Sequence, residues 1–343
     1  MNVNAVLGES IAYTENIHKA KMAASSSQEP TRLFLWIVVR SNSTVFTKCM
    51  TFVDGVQVWY EPYLACALND TFYNPEFKKG DKVAEKMRDT LRKNEASEKM
   101  KAVREDIRVK VEASSDFIFY QETFKYSWLK EQLEKPEPNK KFVFIKDHSF
   151  AIENHMDALP NVPCRHAFLI RHPRQVYTSF KDVISKRVDF DGIPWDKCHV
   201  GNEAVFAPVG DLFQIHHRVW KHFQKHCDHE PIIIDGHDLL SHPETILPKF
   251  FEKMGIPFKE SYLEWEQSPK RTAETWKGSA DFVLLEAQVG ATVRAVNSSR
   301  FIAPKLPRGT PSKEEWTITP ELKEYIEAAM PFYEEMYESR LKP

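Results

Sequence analysis

Three polar segments of the chain combine residue types that bind anions and transfer protons. The first is Arg40-Ser41-Asn42-Ser43-Thr44, in which an arginine precedes hydroxyl and amide side chains. The second, Lys146-Asp147-His148, offers a cation and a base, and the third joins Arg171 to Ser179 eight residues later. Guanidinium groups and hydroxyls bind phosphate-like oxygens, and a neutral histidine accepts a proton near pH 7. Together the segments predict a site that holds an oxyanion and moves a proton.

Each polar segment directly follows a short apolar stretch that predicts a buried strand. Ligands of parallel sheets bind beyond the carboxyl ends of the strands, where all of these segments would lie. Alternation of strands and helices predicts an α/β fold with three layers, in which a largely parallel central sheet is flanked by helices. The predicted strands cover Leu33 to Val39, Phe142 to Ile145, Ala167 to Ile170 and Ile232 to Ile234.

Two helix N-termini are also predicted from local residue patterns. Thr319 and Pro320 provide an N-cap and a first-turn proline for a C-terminal helix, while Ser241 and Glu244 have the spacing of a capping box. We therefore expect one helix to begin at Pro320 and another just after Ser241.

The segment after the first strand is predicted to cradle an anion without glycine. The chain has 11 glycines in 343 residues, with none between Gly8 and Gly55, which excludes a GxGxxG turn or a Walker A loop there. A turn into a helix N-terminus still presents clustered backbone N–H groups to an anion. Asn42 is the residue of this segment best able to adopt a left-handed backbone angle. An ordinary capped turn is the alternative.

Composition limits the classes of partner. A formal net charge of −2 argues against a general polyanion binder, so no nucleic-acid partner is expected. Five cysteines without a CxxC pair indicate free thiols in a reducing compartment and predict a cytoplasmic location. No apolar run approaches the ~18 residues of a membrane span.

The chain is predicted to hold one domain, residues 31–343, after a disordered tail, residues 1–30. A charged insertion at about residues 75–115 interrupts the domain, and we expect it to form a solvated amphipathic helix. A mobile lid over the site is the alternative. The apolar residues at helical spacing in the insertion are Met100, Val103, Ile107 and Val111.

The order of the polar segments resembles that of sulfotransferases that use 3′-phosphoadenosine 5′-phosphosulfate (PAPS). In that family a strand leads into a 5′-phosphosulfate loop, Lys-x-His follows, and a later strand ends in arginine with serine eight residues on. One branch has Arg-Ser-x-Ser-Thr loops and a Glu-Pro segment, which Trp59-Tyr60-Glu61-Pro62-Tyr63 resembles. The similarity covers about residues 33 to 302 and implies a P-loop-like α/β sulfotransferase fold.

The resemblance also implies a reaction and roles for residues. A sulfuryl group would pass from PAPS to a hydroxyl or amine of a small-molecule acceptor, such as a lipid, sterol or phenol. The nucleotide product would be adenosine 3′,5′-bisphosphate (PAP), and no metal would take part. The implied roles are general base for His148, stabilisation of the bridging oxygen for Lys146 and Arg40, binding of the donor for Arg40, Ser41, Asn42, Ser43, Thr44, Arg171 and Ser179, and an acceptor pocket for Glu61 and Tyr63.

The sequence departs from the cytosolic enzymes of the family in three places. Arg40 stands where those enzymes carry a loop lysine. Their Arg-Lys-Gly phosphate motif is absent, and Trp276-Lys277-Gly278 or Arg300 are the candidates to replace it as support for the 3′-phosphate. Their short dimer motif is also missing, so the resemblance implies no oligomeric state.

Three other functions are considered. A zinc site would draw on a histidine cluster, but no HExxH sequence surrounds it and apolar neighbours indicate an ordinary helix. A kinase or NTPase-like protein would need carboxylates for Mg²⁺ and usually a Walker lysine. A catalytically inactive PAP-binding member of the family is the third. The clustered histidines are His216, His217, His222, His226 and His229.

Overall fold

The structure is a computed structural model. It describes residues 29–343 apart from 75, 77–78, 96–97, 99–100, 103–117, 120, 187–192, 205, 228–229, 268–274, 280–292 and 312–316. The predicted tail therefore lies outside the described residues up to residue 28. The apolar positions Met100, Val103, Ile107 and Val111 of the charged insertion lie outside them as well.

Within the described residues, seven strands form one parallel sheet in the order β3-β7-β2-β4-β1-β5-β6. The four predicted strands correspond to β1, β4, β5 and β6, so the predicted parallel sheet is confirmed. The strands are β1 (Thr31–Ile37), β2 (Val56–Tyr60), β3 (Ile118–Phe119), β4 (Phe142–His148), β5 (Cys164–Ile170), β6 (Ile232–Asp235) and β7 (Trp276–Ser279).

Helices connect the strands and cover both faces of the sheet. One of them, α3, lies within the charged insertion. The helices are α1 (Ser43–Thr51), α2 (Pro62–Tyr73), α3 (Lys82–Glu95), α4 (Tyr126–Glu134), α5 (Pro173–Ser185), α6 (Val200–Glu203), α7 (Leu212–His226), α8 (Gly236–Ser241), α9 (Pro243–Met254), α10 (Val293–Val296) and α11 (Pro320–Glu338).

Alternate residues of the central strands enter two separate hydrophobic cores. On one face of the sheet, Phe34 and Trp36 of β1 belong to the core that also contains residues of α2, α5, α7 and α11. On the other face, Leu33 and Leu35 belong to the core that contains residues of α1 and α9. Each large apolar side chain buried in this way contributes about 1.5–3 kcal/mol. The two cores confirm the predicted three-layer α/β architecture.

Both predicted helices are present, but the capping box predicted for the second is wrong. Thr319 caps α11, because its side chain accepts a hydrogen bond from the backbone N–H of Leu322 at 3.4 Å. Ser241 does not open a capping box, because it is the last residue of α8, whose N-cap is Asp235. The next helix, α9, begins at Pro243 without a side-chain cap.

The strand order places the three polar segments at one edge of the sheet. β1 lies between β4 and β5, and the register pairs Ile37 with both His148 and Leu169. The turn after β1 is thus flanked by the ends of both neighbouring strands. The chain after β6 also approaches this turn closely, since a Cβ atom on Gly236 would lie 2.6 Å from the carbonyl oxygen of Ser41.

We expect Gly236→Ala to lower the free energy of unfolding by about 1–3 kcal/mol, because the added methyl group would overlap the Ser41 backbone. The matched control is Gly210→Ala, whose Cβ atom would meet Tyr325 at an ordinary 3.5 Å. Urea unfolding followed by circular dichroism measures both variants. Equal stability of the two variants would contradict the close approach.

Candidate functional site

The turn between β1 and α1 has an unusual backbone and a buried hydroxyl. Arg40 and Asn42 have φ values of 60° and 70°, in the left-handed region. The prediction for Asn42 is thus confirmed, and Asn42 is also the N-cap of α1. The hydroxyl of Ser41 is buried without a hydrogen-bond partner. A buried hydroxyl without a partner at a helix N-terminus indicates a ligand-binding position, because a ligand oxygen would supply the missing hydrogen-bond partner.

The other two hydroxyl residues of the turn lie at the start of α1. Ser43 is buried, and its carbonyl oxygen accepts a hydrogen bond from the hydroxyl of Thr47 at 3.0 Å. The hydroxyl of Thr44 lies 3.5 Å from that of Tyr60 at the end of β2. The turn therefore approaches the end of β2 as well as Gly236, the residue that follows β6.

The ends of β1 and β5 and helix α5 bring two arginines and a serine together. Arg171 donates a hydrogen bond to the carbonyl oxygen of Arg40 at 2.8 Å, and Arg40 Nε donates to the hydroxyl of Ser179 at 3.2 Å. Burial lowers the pKa of Arg171 to about 10, and the nearby cations Arg40 and Arg294 act in the same direction, against Asp235. Neighbouring cations that lower the pKa of Arg171 favour a bound anion at this place.

Arg294 is a cation that acts on Arg171 and that the sequence analysis did not name. Its helix, α10, is held near α1 by Lys48, whose buried ammonium donates to the carbonyl oxygen of Ser298 at 2.7 Å. Trp265 donates to the same oxygen at 2.8 Å. The sequence feature that could have identified Arg294 is its position as a second arginine in the segment that contains Arg300.

The two predicted replacements for the Arg-Lys-Gly motif have other partners. The Arg300 side chain is 68% exposed and lies 3.9 Å from Glu264 across an isolated bridge. Lys277 forms an ion pair with Glu137 at 2.8 Å. Trp276 stacks on Tyr60 with ring centroids 4.6 Å apart. Trp276 and Lys277 therefore pack against neighbouring structure on either side of β7.

β4 extends three residues beyond its predicted end, and these last three residues are Lys146, Asp147 and His148. Lys146 and His148 point to the same side, as predicted, and both contact Glu61. The Lys146 ammonium forms an ion pair with Glu61 Oε1, and His148 Nε2 lies 3.2 Å from the same oxygen. The ammonium also lies 4.1 Å from the centroid of the Tyr60 ring. Glu61 thereby links the base and the cation of the predicted site.

Asp147 points to the opposite side and fixes the start of α2. Its carboxylate accepts hydrogen bonds from the backbone N–H groups of Tyr63, of Leu64 at 3.0 Å and of His148 at 2.7 Å. The Tyr63 side chain is fully buried, and its hydroxyl donates to the carbonyl oxygen of Ala158 at 3.2 Å. The ring of Tyr63 therefore packs in the core, and its backbone N–H is the part that supports the site.

The buried groups of this cluster have strongly shifted pKa values. Burial acts to raise the pKa of Glu61, but the nearby Lys146 and His148 outweigh it and hold this pKa at about 2. Burial lowers the pKa of His148, helped by the cations Lys146 and Arg40 and opposed by Glu61. At neutral pH the site therefore contains an ionised Glu61 and an uncharged His148, which can accept a proton.

The histidines considered for zinc have separate partners. His216 Nδ1 lies 2.7 Å from the hydroxyl of Ser149, and His217 lies 2.8 Å from Glu335. The rings of His222 and His226 lie 4.4 Å apart, while His229 lies outside the described residues. Among the described residues, no group of three or more His, Cys, Asp or Glu side chains is arranged to hold a metal ion. In the same part of the chain, no helix has the length and apolar character needed to cross a bilayer.

Comparisons with known proteins give distant structural matches. No protein-family model matches the chain, and no curated protein sequence matches it. The sulfotransferase domain of the Synechococcus PCC 7002 olefin synthase is 15% identical, with a TM-score of 0.44 over 90% of this chain and 96% of that domain. The sulfotransferase domain of the curacin biosynthetic pathway is also 15% identical, with a TM-score of 0.44 over 92% of this chain and all of that domain. Because both TM-scores are below 0.5, the function of this chain is inferred from its own residues.

We expect Lys146→Met to lower the free energy of unfolding by about 3–5 kcal/mol, because it leaves the buried Glu61 carboxylate without its ammonium partner. Adding Glu61→Gln should restore a large part of the loss, because the buried negative charge is then removed. Urea unfolding of the single and double variants measures this coupling.

The control is Lys186→Met, which breaks a pair with Asp182 at 2.7 Å in which the lysine is half exposed. Exposed pairs contribute at most about 1 kcal/mol, so this variant should remain close to the parent chain. A double variant no more stable than Lys146→Met would contradict the proposed charge pairing.

Proposed function

We propose that this chain is a sulfotransferase that moves a sulfuryl group from PAPS to a hydroxyl or amine of a small-molecule acceptor. The observation that carries the proposal is the meeting of two clusters at the carboxyl end of β1. One cluster joins Arg40, Arg171 and Ser179, and the other joins Lys146 and His148 through Glu61. Arg40 connects the clusters, because its charge also acts on His148.

The turn from Arg40 to Thr44 binds the 5′-phosphosulfate end of the donor. The N-terminus of α1 supplies backbone N–H groups, and the unpartnered hydroxyl of Ser41 supplies a further donor. Ser43 and Thr44 contribute hydroxyls at the first turn of α1. Because Arg40 carries a fixed charge, the turn needs no glycine-rich phosphate loop to hold an anion.

Arg171 and Ser179 bind the 3′-phosphate and distinguish PAPS from ATP. Arg171 is partly buried beside the cations Arg40 and Arg294, so an added anion relieves their mutual repulsion. Arg294 approaches the same place from α10 and takes the role for which the sequence offered Arg300. A nucleotide without a 3′-phosphate leaves these groups uncompensated and binds more weakly.

In the transfer step, His148 takes the proton of the acceptor while Lys146 and Arg40 stabilise charge on the oxygen that leaves with PAP. The sulfur forms a bond to the acceptor oxygen or nitrogen and loses its bond to that bridging oxygen. Most of the rate enhancement comes from positioning and electrostatic stabilisation, as in phosphoryl transfer. Cationic side chains supply the charge compensation, so the scheme uses no metal.

The proposed acceptor is a lipid, sterol, phenol or similar small molecule, and the proposed location is the cytoplasm. The cysteines Cys49, Cys66, Cys164, Cys198 and Cys227 all have free thiols, which supports a reducing compartment. Glu61 lies beside the base and contributes to the wall against which the acceptor is placed.

We expect PAP to bind at least about tenfold more tightly than adenosine 5′-phosphate, because the charge-assisted hydrogen bonds to a 3′-phosphate contribute about 1.5–3 kcal/mol. Isothermal titration calorimetry measures both affinities. Ser179→Ala should reduce the margin between the two nucleotides and leave the affinity for adenosine 5′-phosphate nearly unchanged. ATP with Mg²⁺ that bound as tightly as PAP would contradict the proposal and favour a kinase or NTPase-like protein.

We expect His148→Ala to lower kcat for sulfuryl transfer by about 10²–10⁴-fold while retaining affinity for PAP, because it removes a general base that is not part of the phosphate sites. Labelled PAPS and an acceptor extract, with products identified by mass, provide the assay. His217→Ala, which removes an imidazole paired with Glu335 away from the site, is the matched control.

Full transfer by His148→Ala at saturating acceptor would show that another group is the base. PAP binding by the parent chain without transfer to any acceptor in the extract would instead favour the inactive PAP-binding member.

A further inference from the structure

The two ring nitrogens of His148 have different surroundings. Nε2 lies 3.2 Å from Glu61 Oε1, whereas Nδ1 is buried and has no hydrogen-bond partner. The ring packs against Phe150 with centroids 5.3 Å apart, and the residue is 6% exposed. A buried ring nitrogen without a hydrogen-bond partner lowers the stability of the folded chain by about 1–3 kcal/mol. Its presence here therefore indicates a ligand that forms the missing hydrogen bond.

Glu61 is held as a carboxylate in a fixed position. Lys146 contacts the oxygen that faces His148, and the backbone N–H of Glu61 donates to the carbonyl oxygen of Lys146 at 2.8 Å. Glu61 is also the N-cap of α2, with a left-handed φ of 54°. Non-glycine residues adopt this conformation at a cost of about 1–3 kcal/mol and concentrate at functional sites. The backbone therefore aims the carboxylate at His148.

An ionised carboxylate only accepts hydrogen bonds, so its histidine partner must donate. Burial lowers the pKa of His148, and the neutral ring carries one hydrogen, which Glu61 draws to Nε2. Nδ1 is then left with a lone pair. Other charged or titratable groups that act on or lie near this ring are Arg40, Lys146 and His216. The Asp147 carboxyl group accepts a hydrogen bond from the backbone N–H of His148 at 2.7 Å.

We propose that Glu61 is a positioning residue that fixes His148 in the Nε2–H tautomer, so that Nδ1 is the atom that receives the acceptor proton. This inference rests on the proposed function for the identity of the reaction. The acceptor hydroxyl gives its proton to Nδ1 as its oxygen forms the new bond to sulfur. The electrons of the broken sulfur–oxygen bond remain on the phosphate oxygen of PAP. The resulting imidazolium keeps its Nε2–H on Glu61, which stabilises the positive charge.

The tautomer can be measured without catalysis by long-range ¹H–¹⁵N NMR correlation on the uniformly labelled full chain. We expect a protonated Nε2 and an unprotonated Nδ1 for His148, with the signals assigned by their loss in His148→Gln. A protonated Nδ1 with a bare Nε2 would overturn the inference. Since this experiment needs neither PAPS nor an acceptor, failure of the proposed function would not hide its result.

The kinetic test is Glu61→Gln, whose amide can face Nε2 with either a donor or an acceptor and therefore no longer fixes the tautomer. We expect kcat to fall about 10–100-fold with little change in KM for PAPS, within the range for a disturbed general base. Loss of the carboxylate should also move the acid limb of the pH profile of kcat/KM to lower pH, because Glu61 raises the pKa of His148 against the effect of burial. If Glu61→Gln only impaired folding, the amount of active protein would fall but the acid limb of the pH profile would stay at the same pH.

Two further variants complete the test. Glu153→Gln is the matched control, since it removes a carboxylate that pairs with Arg218 at 2.7 Å outside the site, and it should retain both kcat and the pH profile. Glu61→Asp keeps the carboxylate and should recover the NMR pattern of the parent chain. A Glu61→Gln chain with unchanged kcat and pH profile would contradict the positioning role, whereas PAP binding measured on the same samples tests the proposed function separately.

Discussion

A buried ion pair between Glu61 and Lys146 organises this end of the sheet. Glu61 directly follows β2 and Lys146 lies on the adjacent strand β4, and the two strands pair in a register that places Tyr60 opposite Lys146. Burial of either charge alone would cost several kcal/mol, so each requires the other. His148 shares the same carboxylate oxygen and is thereby brought within the influence of a cation and an anion. The ion pair thus sets the charge and orientation of the groups that would perform the chemistry.

Non-glycine residues at this site adopt the left-handed backbone conformation that glycine adopts in other phosphate-binding turns. Within the described residues, the non-glycine residues with left-handed φ are Arg40, Asn42, Glu61 and Asn139, and three of these four line the site. Strained positions of this kind persist only where surrounding packing enforces them. The hydrogen bond from Arg171 to the Arg40 carbonyl oxygen and the close approach of Gly236 to Ser41 provide that enforcement. In a chain of near-neutral net charge, Arg40, Lys146 and Arg171 place positive charge at these strand ends.

Local patterns predicted the parts of the molecule that depend on neighbouring residues. The central strands, the left-handed Asn42 and the shared direction of Lys146 and His148 all follow from short-range rules of alternation and backbone preference. The capping box at Ser241 was wrong, because Asp235 starts a helix six residues earlier that already includes Ser241. Boundaries of this kind depend on which of two competing caps prevails.

Contacts between segments that are distant in the sequence could not be predicted from local patterns. The link from Glu61 to Lys146 and His148 depends on the register of β2 against β4, and the sequence does not specify that register. Arg294 acts electrostatically on Arg171 from a segment that Lys48 anchors from another helix. The core position of Tyr63 follows from Asp147, which fixes the start of α2. Each of these depends on packing between elements that are far apart in the chain.

A crystal structure of the chain with adenosine 3′,5′-bisphosphate tests the central claim most directly. We expect the 5′-phosphate to lie on the backbone N–H groups between Ser41 and Thr44, within reach of Lys146. We also expect the 3′-phosphate to contact Arg171 and Ser179. A nucleotide bound away from the carboxyl end of β1, or bound there with its two phosphates exchanged, would contradict the assignment of this site to sulfuryl transfer.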